Sequence, residues 1–199
     1  MPTERINSLD TATISRILGA AVGEFADRPY TEASFNGVIR AAGISKGMMY
    51  YYFESKEDLF TALLHSAVRR FLTRVGPLPQ VADAAAFWLE TERLLAAFLD
   101  FMAEEADLAR FLRRIFGSAA AAASSPARLT VKGLSQWLQG LMDIGRRVGA
   151  IRGDRSLDWL VTIAWANWDV VAQRLVNGEV EAAEARSIVL DLWRRILEV

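Results

Sequence analysis

Apolar residues recur at intervals of three and four along nearly the whole chain, and nowhere do they alternate over the length of a strand. Ile14, Ile17, Leu18, Ala21, Val22 and Phe25 line one face of a first helix that Thr11 or Thr13 can start. Asp27-Arg28-Pro29-Tyr30 should end it, because proline drives Arg28 out of the helical region. Phe35, Val38, Ile39 and Ala42 give a short second helix. Gly43 then supplies the positive φ of a tight turn, and Ser45 can cap a third helix in which Met49 and Phe53 face inward together. A fourth, long helix opens at Ser55 and carries Leu59, Phe60, Leu63, Leu64, Ala67, Val68, Phe71 and Leu72 up to Gly76-Pro77-Leu78-Pro79.

The remainder also reads as helices. Ala84, Phe87, Trp88, Leu94, Leu95, Phe98, Phe101 and Met102 stripe one helix, with Thr91 interrupting the stripe and expected to bond back to its own backbone. Leu108, Phe111, Leu112, Ile115 and Phe116 mark a shorter one. The low-complexity stretch Gly117–Pro126 is a connection or a weak helix tip. Leu129, Leu134, Trp137, Leu138, Leu141, Met142, Ile144 and Val148 follow, stopped by Gly149 and Gly153. The last two helices, Leu157–Val176 and Ala182–Val199, are apolar over more than a stripe, so both sides need cover. A second subunit is the natural cover, and Trp168, Val171, Leu175, Ile188, Leu192, Trp193 and Ile196 are the candidate interface. The fold class is all-α: a trihelical helix-turn-helix domain over residues 1–54 and a helical bundle over 55–199, with helix 55–74 connecting the two.

Composition narrows the chemistry. With 199 residues, 52% of them hydrophobic, and a net charge of −1, the chain can bury a sizeable core. It has no apolar run long enough for a membrane span, and Met1-Pro-Thr-Glu-Arg-Ile lacks a basic-then-apolar leader pattern. There is no cysteine, so disulfides and thiolate metal sites are excluded and a cytoplasmic location is the default. One histidine, His65, builds no metal or catalytic cluster, and no nucleophile elbow or phosphate-cradling glycine loop occurs. No cofactor, no metal and no enzymatic activity are expected. A carboxylate oxidase built on a helical bundle would need Glu-x-x-His pairs, which are missing.

The third helix is unusual in what it leaves outside. Lys46, Gly47, Met48, Tyr50, Tyr51 and Tyr52 include more polar-tipped aromatics than so small a unit can hide. Phenol hydroxyls and an ammonium on a protruding helix suit phosphate oxygens and base edges in a major groove. Lys56 falls in the first turn of the next helix, where it opposes the dipole unless a phosphate lies between. Charge pulls the other way. Through residue 56, Arg5, Arg16, Arg28, Arg40, Lys46 and Lys56 are matched by Glu4, Asp10, Glu24, Asp27, Glu32 and Glu54, so modest non-specific affinity is expected.

Ser34, Ala42-Gly43-Ile44-Ser45-Lys46-Gly47, Met48-Met49-Tyr50-Tyr51-Tyr52-Phe53 and Ser55-Lys56-Glu57-Asp58-Leu59 together resemble the DNA-binding domain of the tetracycline-repressor (TetR) family. The polar, glycine and aromatic positions agree over more than twenty residues, counting along that run. Two departures are Met48, where the family often has a small residue, and Ala33 in place of a common Thr. The candidate DNA-binding residues are Ser34, Asn36, Ser45, Lys46, Gly47, Met48, Tyr50, Tyr51, Tyr52 and Lys56. Two heads roughly 34–36 Å apart would then read an inverted-repeat, double-stranded operator. The resemblance further implies a homodimer joined by the last two helices and a small, largely apolar effector bound among Trp88, Phe98, Phe101, Met102, Phe111, Phe116, Trp137, Met142, Trp165 and Trp168. It also implies repression as the output. The competing expectation is a helical adaptor whose trihelical head contacts protein.

Overall fold

Nine α-helices and no strand make up the described residues of the computed structural model, which are 11–116 and 128–199 apart from the side chains of 116, 128–131 and 134. The helices are α1 (Thr11–Asp27), α2 (Phe35–Ala41), α3 (Lys46–Tyr52), α4 (Lys56–Val75), α5 (Ala84–Glu104), α6 (Ala106–Phe116), α7 (Arg128–Arg147), α8 (Leu157–Val176) and α9 (Ala182–Leu197). The all-α class and the order of elements are those the apolar periods predict. Gly117–Pro126 lies outside the described residues. Contacts group the rest into two units: one takes the chain up to Arg69 together with Asp107–Thr130, the other Arg70–Ala106 with Val131–Val199.

In the first unit α1 buries Ile17, Ala21 and Phe25, one residue per turn on the face the sequence pattern marks. Phe25 meets Phe60 of α4 edge-on at 5.1 Å and Phe111 of α6 at 6.3 Å, and Phe60 and Phe111 meet at 5.6 Å. Such rings contribute roughly 1.5–3 kcal/mol each by burial, with a further ~0.5–1.5 kcal/mol for each well-placed pair. Arg114 on α6 then closes the C-terminal end of α1. Its guanidinium donates to the carbonyls of Ala26 (3.0 Å) and Asp27 (3.1 Å), two of the acceptors a helix end leaves without an internal partner. A segment some ninety positions away in sequence therefore completes the core around the first helix.

The turn between α2 and α3 follows from one residue. Gly43 sits at φ 63°, and the amides of Gly43 and Ile44 donate back to the carbonyls of Arg40 (3.1 Å) and Ile39 (3.3 Å). That pair of bonds is the Schellman closure of a helix, which asks for a left-handed residue at its pivot. Ser34 and Ser45 start the two short helices by accepting from the amides of Gly37 (3.0 Å) and Met48 (3.1 Å).

The second unit is held by close helix approach and aromatic packing. Asp83 caps α5 through the Ala86 amide at 2.8 Å. Gly145 lets α7 lie so near its neighbours that a Cβ there would stand 2.7 Å from both Phe87 and Ile151. The amide of Arg152 donates to the Leu197 carbonyl at 2.8 Å, tying the end of α9 to the loop after α7. Phe71 meets Phe98 at 5.1 Å and Phe101 at 5.6 Å, and Phe98 meets Trp168 of α8 at 4.3 Å. No helix among the described residues is long and apolar enough to cross a membrane.

Candidate nucleic-acid interface

On α3 the inward positions are Met49 and Tyr52, with Phe53 just beyond the helix end; all three are buried. The opposite face carries Lys46, Gly47, Met48, Tyr50 and Tyr51 into solvent, with Tyr50 and Tyr51 54% and 50% exposed. Tyr50 is steadied by the edge of Phe35 from α2 (5.6 Å) and Tyr51 by the ring of Tyr52 (5.3 Å). Two half-exposed phenols thus stand on backed rings, which lowers the entropy lost when they engage a partner. Asn36 is exposed on α2.

Four of the expected contacts are placed otherwise. Tyr52 is only 8% exposed, because a helix turns 100° per residue and the third consecutive phenol comes round toward Met49. Ser34 and Ser45 use their hydroxyls as helix caps. Lys56 does not reach outward at all. Its ammonium donates to the carbonyls of Tyr30 (2.7 Å), Ala33 (3.0 Å) and Thr31 (3.3 Å) and lies 4.7 Å from the centre of the Tyr30 ring. Burial, and secondarily the nearby Glu57 carboxylate, raise the pKa of that tyrosine. The start of α4 is closed by its own side chains: Ser55 accepts from the Asp58 amide (3.1 Å), and the Asp58 carboxylate accepts from the Glu54 amide (3.0 Å).

Sequence reasoning missed two residues of this unit. Glu24, on α1, accepts the Ser34 amide at 2.8 Å and so fixes where α2 begins. Arg114 holds the end of α1, as described above. Glu24 also pairs with Arg28 one turn on, but the partners that matter here, Ser34 for Glu24 and Ala26 and Asp27 for Arg114, lie at no helical spacing, so no local pattern could have disclosed these roles.

The residues expected to surround an effector are divided between the two units. Phe111 is fully buried in the first unit against Phe25 and Phe60, because α6 contributes its apolar face there. The side chain of Phe116 lies outside the described residues. In the second unit Trp88, Phe101, Met102, Met142 and Trp168 are buried, and Phe98, Trp137 and Trp165 half-buried. Thr91 donates to the Phe87 carbonyl at 2.9 Å, as expected of a hydroxyl on an apolar stripe. Arg194 of α9 lies 5.3 Å from the centre of the Trp88 ring, yet the indole Nε1 of Trp88 and the Oδ1 of Asn167 are buried without a hydrogen-bond partner among the described residues. Among the described residues no cluster of three or more metal-ligating side chains forms.

The candidate interface on the last two helices is likewise rearranged. Trp168 and Val171 are buried, with Trp168 against Phe98, so both pack within their own unit. Leu175, Leu192, Trp193 and Ile196 are half-buried, with the Trp193 indole donating to the Ala164 carbonyl at 3.3 Å, and Ile188 is exposed. What α8 presents instead is Trp159 and Val170, 56% and 62% exposed. Eleven residues, three full turns, put them on one face with Ala166 between.

Residues 17–63 match the model of a family described as bacterial regulatory proteins, tetR family. An HTH-type transcriptional regulator of Bacillus subtilis is 38% identical over 58 residues, and one of Mycobacterium tuberculosis 35% over 82. Residues 17–63 belong to the tetR family of bacterial regulatory proteins. These alignments take in 28% and 41% of this chain but only 30% and 38% of the two relatives, so the chain spans about a third of the length of the curated regulators it matches. The fold likeness reaches further: a TetR-like transcriptional regulator from Rhodococcus superposes with a TM-score of 0.75 at 24% identity, over 94% of this chain and 96% of that one. The TetR-family match covers most of α1, all of α2 and α3, which carries Tyr50 and Tyr51, and the start of α4.

Proposed function

We propose that the protein is a ligand-responsive, DNA-binding transcriptional regulator rather than an enzyme. In this reading it is a cytoplasmic repressor that holds an inverted-repeat operator as a homodimer and is released by a small, largely apolar effector. The observation that carries the reading is the outer face of α3: two backed phenols, a methionine and Lys46, on a short helix set by a left-handed Gly43 turn. Hydroxyl and ammonium donors suit phosphate oxygens and base edges, and Met48 can meet a thymine methyl.

The uncovered apolar stripe of Trp159, Ala166 and Val170 on α8 supports the dimer, since exposed apolar surface of this kind marks contact sites. The effector reading draws support from the aromatic interior of the second unit. There, the unpartnered Trp88 donor and Asn167 acceptor are the kind of buried polar atoms that a bound molecule can satisfy. The effector acts by population shift, to the extent that it prefers the form with a different head spacing.

The test is recovery of a duplex from a random pool by the full-length protein, followed by binding of that duplex with Tyr50→Ala as the control. An inverted repeat should emerge and the variant should lose at least about tenfold in affinity, the size of one good base contact. A pool that never converges, or a variant that binds as well as the parent, would refute the DNA reading. Apolar compounds that raise the melting temperature should then release the duplex; stabilising compounds that never release it would sink the effector part alone.

A further inference from the structure

The peptide group between Ala33 and Ser34 is gripped from both ends by opposite charges. Its carbonyl accepts from the Lys56 ammonium at 3.0 Å, and its N–H donates to the Glu24 carboxylate at 2.8 Å. We propose that Glu24 and Lys56 are positioning residues for DNA reading, which set the start of α2 and through it the aim of α3, and that the start of α4 is not a phosphate anchor. The inference rests on the DNA-binding reading above and deepens it.

Three observations carry it. First, an ammonium has three protons, and Lys56 has three carbonyls, those of Tyr30, Thr31 and Ala33, within 3.3 Å; no proton is left for a phosphate oxygen. Second, the ground around it repels phosphate. Glu54 and Glu57 are exposed beside it, and the Asp58 carboxylate already takes the amide of Glu54. The favourable end of the helix dipole is thereby matched by this chain's own carboxylates. Third, what the two charges hold is the start of a short helix. Ser34 is the N-cap of α2, a helix of seven residues, and α2 packs on α3 and backs Tyr50 with Phe35. A shift of the Ala33–Ser34 peptide is therefore passed to the reading face.

Glu24 makes the idea testable by sign. Removing a carboxylate from a DNA-binding head should strengthen binding if that carboxylate is only an adverse charge. It should weaken binding if the carboxylate aims the helix. The experiment uses the full-length protein and the duplex it selects from a random pool, with affinity followed by fluorescence anisotropy from roughly 50 to 200 mM salt. Variants are Glu24→Gln and Lys56→Met, with Glu32→Gln removing the same charge from an exposed position in the adjoining turn. All are checked by circular dichroism to be folded at the assay temperature.

The expected result is a loss of about tenfold or more for Glu24→Gln and for Lys56→Met, the scale of one charge-assisted hydrogen bond, with Glu32→Gln binding as tightly as the parent or tighter. The salt slope of Lys56→Met should equal that of the parent. A slope smaller by about 0.9 would make Lys56 a phosphate contact and overturn the proposal. So would Glu24→Gln binding as well as Glu32→Gln. Should the methionine variant not fold, Lys56→Arg decides. A phosphate contact survives that change, whereas a planar guanidinium cannot serve three converging carbonyls, so affinity falls at unchanged slope. Failure of the parent to select any duplex refutes the DNA reading itself and is told apart from all of these.

Discussion

Truncating Phe111 tests whether α6 truly belongs with the first helices. The side chain is fully buried, 5.6 Å from the Phe60 ring and 6.3 Å from that of Phe25. Phe111→Ala removes a whole ring and leaves a cavity among residues that are themselves anchored on α1 and α4, so little collapse is available. The cost is about 3–5 kcal/mol, a large part of the roughly 5–15 kcal/mol that holds a domain folded. Because each ~1.4 kcal/mol is tenfold, the slowest-exchanging amides of α1 should exchange about a hundred to several thousand times faster. Phe111→Leu keeps most of the volume and should lose under about 2 kcal/mol, which keeps the series readable if the alanine variant does not fold. The assay is native-state hydrogen exchange resolved by peptide, with urea unfolding alongside. If α1 keeps its protection while only the second unit loosens, Phe111 is not part of the first core.

Gly43→Ala should cost about 1–2 kcal/mol in urea unfolding, because an alanine must adopt φ 63° there with nothing nearby to compensate. An unchanged midpoint would mean that the turn relaxes to another form. Gly145→Ala forces a methyl to 2.7 Å from Phe87 and Ile151 and should cost about 1–3 kcal/mol, read as a lower melting temperature; a rise would show slack between α7 and its neighbours. Val170→Glu places a charge in the uncovered stripe of α8 and should shift sedimentation from dimer to monomer at micromolar protein, whereas Leu89→Glu, on the exposed side of α5, should not. Tyr30 binds its proton more tightly folded than unfolded, so it stabilises the fold below its ordinary pKa and that stability drains away as pH rises through the folded value. Tyr30→Phe should flatten the alkaline loss of stability, and an equally steep loss would assign it to other groups.

How much of this was legible beforehand depended on distance along the chain. Every helix among the described residues was, because each is announced by apolar spacing within one or two turns. The caps at Ser34 and Ser45 and the turn at Gly43 were legible for the same reason, since their partners are three to five residues away. Tyr52 was misjudged by counting phenols instead of rotating them: positions 49, 52 and 53 share an inward arc, and 48, 50 and 51 do not. Trp168 and Val171 were misjudged because a helix apolar on both sides does not say which side its own neighbours cover. Phe111 could not be placed at all, since its amphipathic pattern is the same whether the face meets α1 or an effector. The clamps made by Glu24, Lys56 and Arg114 reach 10, 23 and 88 residues along the chain, to Ser34, Ala33 and Ala26 respectively, and have no periodic signature.

The balanced charge of the head and its internal clamps are two sides of one physical argument. A head with a strong basic surplus gains affinity from counterion release almost regardless of how its helices are aimed. Here six acidic residues offset six basic ones through residue 56. Moreover, Lys56 has its donors committed to backbone carbonyls, and Arg28 lies 3.5 Å from the Glu24 carboxylate. Little net charge remains to draw DNA in, so on the proposed reading recognition comes from contacts that fit, made by a small outer face of α3. Fit tolerates little error in aim: base-edge hydrogen bonds weaken steeply with angle. A reading helix of seven residues cannot supply that rigidity alone, being shorter than an isolated helix needs to be stable. The ion-gripped Ala33–Ser34 peptide, the glycine turn and the phenylalanine behind Tyr50 supply it from outside. On this account Lys46 is left to face the DNA, while Glu24 and Lys56 act on the protein's own backbone.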